Sequence, residues 1–318
     1  MTASRAVLDN TIQELIDELA AEKAPPIYEL GPEAARDALL RVQSGPVRKP
    51  NALIKDYEVE TTAGALRLRT LRPIDVKTPT PVVLYFHGGG WVLGDAATHD
   101  RLVRELAAGS EATVVFVEYG RAPEHRYPVA IEQAYAATVY VSKHAEQFEV
   151  DATRLAVAGD SAGGNMAAVV ALMAKQRQEP KIKGQVLFYP VTNCDFQTTS
   201  YNQFADGPWL TRSAMQWFWD QYLPDYNKRH EPTASPLQAA QDQLAGLPVA
   251  LIITAENDVL REEGEAYGRK LLQAGVSVVV TRYNGAIHDF MLLNRIANAA
   301  PVRAALLQAT DFLKGALA

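Results

Sequence analysis

The sequence predicts an α/β domain: a mostly parallel central sheet flanked by helices, with a helical cap. Three observations carry this. From Pro81 onward, short and nearly continuous apolar runs recur at Val82 to Phe86, Thr113 to Val117, Leu155 to Ala158, Gln185 to Tyr189, Val249 to Ile253 and Val276 to Val280. Helix-type segments lie between most of them, at Asp100 to Ala108, Val129 to His144, Ser161 to Lys175 and Glu262 to Gln273. Strands buried on both faces read as unbroken apolar runs because neither face meets water. Second, Leu155 to Ala158 runs straight into Gly159-Asp160-Ser161-Ala162-Gly163-Gly164 and then a helix-forming stretch, Asn165 to Lys175. Third, Asp195 to His230 breaks the alternation and concentrates aromatic residues, with three of the four tryptophans. That stretch reads as a satellite core and, at the same time, as a cap over the mouth of the sheet.

The remaining elements follow in order. Leu8, Ile12, Leu15, Ile16 and Leu19 have the spacing of an amphipathic helix over Leu8 to Ala21, which Pro25-Pro26 ends. Pro32 to Val42 reads as a second helix, with Pro32 in a plausible first turn. Tyr57 to Leu71 alternates in character around Ala63-Gly64 and reads as a hairpin. Pro301 to Leu317 reads as a closing helix. The resulting division is an N-terminal helical cap at 1–48, a main α/β domain at 49–194 and 232–318, and a cap insertion at 195–231.

Composition narrows the class. The 318 residues are 48% hydrophobic and 21% charged, ordinary for a soluble globular protein able to bury a sizeable core. A net charge of −6 gives no reason to expect nucleic acid or an acidic membrane surface as a partner. Cys194 is the single cysteine, so neither an internal disulfide nor a cysteine-based metal cluster is expected. Met1 to Ala21 carries Asp9, Glu14, Asp17 and Glu18 and lacks the basic, apolar, small-residue order of a secretory signal, so a cytoplasmic location is expected. No apolar run approaches the ~18 residues of a membrane span.

The chemistry starts at Ser161. Strand, Gly-x-Ser-x-Gly, helix is the nucleophile-elbow arrangement, in which glycines let the backbone turn sharply enough to expose a serine oxygen at the top of a sheet. A serine hydroxyl becomes a good nucleophile only when a neighbouring base removes its proton. A carboxylate and a histidine should then follow, in that order, beyond later strands. Val249 to Thr254 is a strand, left by the loop Ala255-Glu256-Asn257-Asp258. Val278 to Tyr283 is the next, followed by Asn284-Gly285-Ala286-Ile287-His288. Asp258 is preferred to its rival Glu256 because it lies further into the loop, just before the next helix. The expected place of Glu256, Glu262 and Glu263 otherwise is as solvated carboxylates at a helix start. His288 is the candidate base by position; His99, His144 and His230 fall in helix or cap contexts without an evident partner. His87-Gly88-Gly89-Gly90-Trp91 follows the strand Val82 to Phe86. Backbone N–H groups there can face a developing oxyanion with no Cβ in the way. The assigned donors are Gly88, Gly89 and Ala162, the residue after the nucleophile, while His87 is expected to anchor the loop. No phosphate-loop pattern is present.

Together these segments resemble the hormone-sensitive-lipase-like branch of the α/β-hydrolases, the bacterial family IV carboxylesterases. The resemblance covers nearly the whole chain: His87-Gly88-Gly89-Gly90-Trp91, Tyr119-Gly120-Arg121-Ala122-Pro123-Glu124-His125 with Tyr127-Pro128, Gly159 to Asn165, Asp258 to Gly264, and Ile287-His288-Asp289-Phe290. It implies the α/β-hydrolase fold, hydrolysis of short- to medium-chain acyl esters, no cofactor and no metal. It also implies a cap built from the N-terminus and a later insertion, and a possible homodimer through the last strand and helix. There are three departures. Val259 replaces the family's usual proline after the acid. Gly120-Arg121 displaces its arginine by one place. Asp289 stands where glycine is common after the histidine.

The expected mechanism is attack by Ser161, proton transfer through His288, orientation of His288 by Asp258, and an acyl-enzyme. Trp91, Tyr189, Trp209, Ile287 and Phe290 are candidate pocket walls, each an equally good core residue. An amidase, lactonase or thioesterase on the same triad, or a non-catalytic receptor of the same fold, are the rival readings. A surface-active lipase is disfavoured because no strongly amphipathic apolar lid helix stands out.

Overall fold

The computed structural model describes residues 6–318. Residues 1–5 of the expected N-terminal cap lie outside them. Eight strands form one sheet: β1 (Ala52–Thr61), β2 (Gly64–Pro73), β3 (Thr80–Phe86), β4 (Thr113–Glu118), β5 (Val150–Asp160), β6 (Gly184–Phe188), β7 (Val249–Asn257) and β8 (Val278–Ile287). Their spatial order is β1-β2-β4-β3-β5-β6-β7-β8. The β1–β2 hairpin pairs antiparallel, and β2 joins β4 antiparallel; every later pairing is parallel.

The helices, in chain order, are α1 (Asn10–Glu22), α2 (Ile27–Leu30), α3 (Pro32–Val42), α4 (Ala96–Ser110), α5 (Val129–Lys143), α6 (Ala162–Arg177), α7 (Thr199–Gln203), α8 (Arg212–Tyr222), α9 (Gln241–Leu244), α10 (Arg261–Gln273) and α11 (Ala300–Ala316). Along β3, Val82, Leu84 and Phe86 enter one core, and Val83 and Tyr85 the other. In β4 the split is Val115 and Val117 against Val114 and Phe116. This is the two-residue alternation of a pleated strand whose faces are both covered. Helices α5, α6 and α10 supply the first core; α4 and α11, with α1 at the margin, supply the second. Residues 162–174 of α6 are all buried, since that helix lies against the centre of the sheet on one side and α5 on the other. Its one strongly polar buried side chain, Asn165, donates both amide N–H groups, to the carbonyls of Val191 (3.0 Å) and Ala234 (2.9 Å), while its Oδ1 has no partner among the described residues.

Several elements run further than the sequence predicts. The hairpin extends to Ala52 and Pro73, because its outer positions pair across the strands through charge, with Arg69 gripping the Asp56 carboxylate at 2.7 and 2.8 Å. Helix α4 starts at Ala96 rather than Asp100, since Asp95 and Thr98 form a reciprocal capping box. Strands β7 and β8 continue past Thr254 and Tyr283, shift register between Ala255 and Asn257, and pair again at Asn257 and Ile287. The segments expected to be free loops are therefore strand ends, and they deliver Asp258 and His288 from a hydrogen-bonded ladder.

Over the C-terminal edge of the parallel strands, α2 packs on α8, bringing the N-terminal segment and the aromatic insertion together. Arg36 of α3 fixes this roof to the sheet edge. Its guanidinium donates to the carbonyls of Val92 (2.8 Å) and Ala122 (2.9 Å) and grips Glu124 at 2.9 and 2.6 Å. That contact pulls the Glu124 carboxyl down to about 2. Among the described residues, no helix is long and apolar enough to cross a membrane.

Candidate active site

Ser161 stands between β5 and α6 with φ 54° and ψ −118°, a backbone region that side chains with a Cβ avoid. Such a residue stores about 1–3 kcal/mol of strain, which its surroundings must hold in place. They do so by accepting the Ser161 N–H on Phe188 O (2.8 Å) and donating the Asn165 and Val191 N–H groups to Ser161 O (3.0 and 3.2 Å). The glycines are obligatory: a Cβ on Gly159 would sit 2.3 Å from Gly163 O, and one on Gly163 would sit 1.9 Å from Phe86 O.

The structure brings Ser161, His288 and Asp258 together. The Ser161 hydroxyl lies 2.9 Å from His288 Nε2, and His288 Nδ1 lies 2.7 Å from Asp258 Oδ2. All three are buried. Asp258 Oδ1 accepts the Leu260 N–H at 3.0 Å, which orients the carboxylate with Val259 in place of proline. Burial opposes charge on His288. The carboxylates of Asp258 and then Asp289 outweigh it, lifting the imidazole to about 9. Glu256, the rival acid, turns away and accepts the Gly285 N–H at 2.7 Å, bracing the bend in β8.

Among the proposed oxyanion donors, Gly88 does not face the site. Its N–H donates to Asp160 Oδ1 at 3.0 Å, and a backbone N–H has one proton to give. Asp160 is fully buried and also receives the Tyr85 hydroxyl (2.6 Å), with His99 Nε2 at 3.3 Å. Burial works against its charge, yet the neighbouring His99, its hydrogen bonds and the His87 ring hold the carboxyl below its usual range. His99 thus has the partner that the sequence did not reveal. Gly89 and Gly90 line the cavity beside Ser161 instead, and Ala162 opens α6 directly after it. Gly90 was missed, although the run of three glycines contained the signal. A Cβ there would collide with the Phe218 ring at 2.1 Å. His87 stacks on Tyr119 with ring centres 4.1 Å apart, and its Nδ1 lies 2.9 Å from Gly88 O. Burial, reinforced by the adjacent His99, presses the His87 imidazole down to about 3, so it is a neutral support for the loop.

The cavity above Ser161 measures about 260 Å³. Its walls come from Ala35, Leu39 and Val42 of α3 on one side and Ala214, Met215 and Phe218 of α8 on the other. Of the five predicted wall residues, Trp209 lines it. Trp91, Tyr189, Ile287 and Phe290 do not: they are completely or almost completely buried behind it. Trp91 stacks on Tyr222 at 4.2 Å, and Tyr189 lies beside the His288 ring at 4.8 Å. The missed walls on α3 occupy i, i+4 and i+7, an apolar stripe visible in the sequence but readable equally as core-facing. Glu263, expected in solvent, is buried and accepts the N–H groups of Thr192 (2.6 Å) and Asn193 (3.0 Å), so it braces the loop after β6.

Comparisons with known proteins agree with this architecture. A family described as the alpha/beta hydrolase fold matches residues 83–292. Carboxylesterase NlhH of Mycobacterium tuberculosis is 38% identical over 272 residues, covering 85% of each chain. A putative alpha/beta hydrolase of Acanthamoeba polyphaga mimivirus is 38% identical over 304 residues, 94% of this chain and 85% of its own. The crystal structure of a thermostable esterase from Pseudomonas putida ECU1011 superposes with a TM-score of 0.97 at 48% identity, over 100% of this chain and 99% of that one. With the elbow, the sheet order and these likenesses in hand, the chain belongs to the α/β-hydrolase fold family, in its hormone-sensitive-lipase-like branch.

Proposed function

We propose that the protein is a carboxylic ester hydrolase acting on short- to medium-chain acyl esters through Ser161, His288 and Asp258. The observation that carries this reading is the continuous contact from hydroxyl to imidazole to carboxylate at the floor of an apolar cavity. In this mechanism His288 takes the Ser161 proton as the oxygen attacks the ester carbonyl. Asp258 keeps Nδ1 protonated and stabilises the imidazolium. The N–H groups of Gly89, Gly90 and Ala162 receive the oxyanion, an interaction worth several kcal/mol when donors are pre-aligned. His288 then protonates the leaving alcohol, and water repeats the sequence on the acyl-enzyme. The relatives named as carboxylesterase and esterase support the ester as substrate. A cavity of about 260 Å³ suits a modest acyl chain rather than a long one. Two copies pairing through β8 and α11 belong to the same reading: β8 is a sheet edge with Val279 exposed, and α11 packs beside it with Leu307 exposed. A monomer by light scattering would overturn that part alone.

The test is turnover of a graded ester series, with amide, lactone and thioester controls, by the native protein and Ser161→Ala. The native protein should be labelled by a serine-reactive phosphonate and should lose rate as the acyl chain lengthens. Ester turnover retained in a folded Ser161→Ala protein ends the proposal. Faster turnover of the amide, lactone or thioester moves it to a different leaving group.

A further inference from the structure

Asp289 follows His288 directly and is the carboxylate among the residues lining the cavity. Its φ of 62° places it in the left-handed region, and its carbonyl accepts the N–H groups of Leu292 (2.8 Å) and Leu293 (3.0 Å), closing a tight turn. Trp209 Nε1, from the segment leading into α8, donates to Asp289 Oδ2 at 2.9 Å. The other oxygen, Oδ1, is buried and has no hydrogen-bond partner among the described residues. It lies 3.5 Å from His288 Nε2, the same nitrogen that faces Ser161. Nothing in the proposed mechanism calls for a carboxylate on that side of the ring.

We propose that Asp289, held by Trp209, is a positioning residue that favours the protonated imidazole of His288 and so sets the pH at which this ring becomes available as a base. The inference rests on the proposed triad. Other groups facing the imidazole do not supply this effect in the same way. From the end of β7, Asp258 holds Nδ1, where its carboxylate also orients the ring. From the β5–α6 junction come Ser161, which is neutral, and Asp160. The Asp160 charge is directed instead into the Tyr85 hydroxyl, the Gly88 N–H and His99. After β6, Tyr189 presents a hydroxyl that burial pushes well above its ordinary range, so it carries no charge near neutrality. The roof contributes Trp209 and Tyr28. Asp289 is therefore the remaining charge at contact range, on the nitrogen that must be free of its proton before Ser161 can be activated. On balance the Asp289 carboxyl lies above its ordinary range: burial, with the charges of Asp160 and Asp258, raises it, and the imidazole and the Trp209 donor offset only part of that.

The sign follows from linkage between the two charges. Removing the negative charge beside Nε2 makes the imidazolium less favourable, so His288 loses its proton at lower pH. The acidic limb of kcat/KM, which reports the free base, should then move to lower pH. The experiment measures kcat/KM against pH on a short uncharged ester for the native protein, Asp289→Asn and Asp289→Gly. Asparagine keeps an acceptor for Trp209 without the charge. Glycine is the residue the backbone favours at this φ, which safeguards folding. Both variants should show the limb shifted down by about one pH unit or more, the size expected for loss of an adjacent opposite charge. A purely structural role would lower the rate evenly across pH and leave the limb where it was, which overturns the proposal. Ser161→Ala separates the two levels. Activity retained there removes the triad itself. A dead Ser161→Ala beside native limbs in both Asp289 variants removes only this inference.

Discussion

Asp160, the residue just before the candidate nucleophile, shows how much of the site is decided by single side chains. It touches no substrate in the proposed mechanism, yet one of its oxygens fixes the Gly88 peptide and thereby directs the glycines that follow toward the cavity. Asp160→Ala would leave the Gly88 N–H and the Tyr85 hydroxyl buried and unpaired, at about 1–3 kcal/mol for each group. The expected outcome is a destabilised protein whose kcat falls roughly 10- to 100-fold while KM for a small ester changes little, since removal of oxyanion support acts on the transition state. Chemical denaturation and steady-state kinetics on the same preparation check both halves. This scale also sets the limit of what the sequence disclosed. The three triad members were legible because each follows an apolar run at a motif position. The direction of the Gly88 N–H was not, because it depends on a carboxylate 72 residues away. For the same reason Trp91, Tyr189, Ile287 and Phe290 could not be sorted from true wall residues: an aromatic or aliphatic side chain looks the same in sequence whether it faces a core or a cavity.

Among the elements, the elbow and the two long strands decide the geometry. Gly163 lets α6 start against the β3 backbone, so Gly163→Ala forces the Phe86 carbonyl and the helix apart. We expect loss of several kcal/mol, seen as poor soluble yield or a strongly lowered midpoint of unfolding, because the clash is with backbone and cannot be relieved by rotamer change. Retention of native stability would show that the turn tolerates another path. Helix α3 gives a milder case. Arg36→Ala removes two donors to carbonyls and one ion pair whose acid is more than half exposed, so the pair itself adds little. The carbonyl bonds set the expected cost at about 1–3 kcal/mol. KM should rise more than kcat falls, since in the proposed mechanism the roof holds substrate and the triad stays intact; equal effects on both would contradict that division. Strand identities were legible from their apolar runs, whereas the extra length of β7 and β8 was not. Asn257, Asn284 and Gly285 carry turn chemistry, and only the resumed pairing of Asn257 with Ile287 makes them part of the ladder.

For the whole molecule, pH enters through groups that folding removes from water. Burial lifts the Glu263 carboxyl to about 8, against the pull of two backbone donors. Because its folded value lies above its unfolded one of about 4.5, this group favours the native state at low pH. The contribution is lost progressively as pH climbs from about 5 through 8. Native protein should therefore lose thermal stability over that window relative to Glu263→Gln, by at least a few °C for a chain of this size. Parallel Tm curves for the two proteins would contradict the assignment. At this scale the sheet and its flanking helices were readable from alternation alone, whereas a cap shared by the N-terminal helices and 195–231 was legible only through the family resemblance, since neither segment names the other. Their separation along the chain has its own consequence. Leu39 approaches the reacting centre from one stretch of polypeptide and Met215 from another, and no turn or strand ties the two together. Bulk can be added or removed at either side independently, so the shape of accepted esters can be retuned one panel at a time while the machinery beneath stays as it is.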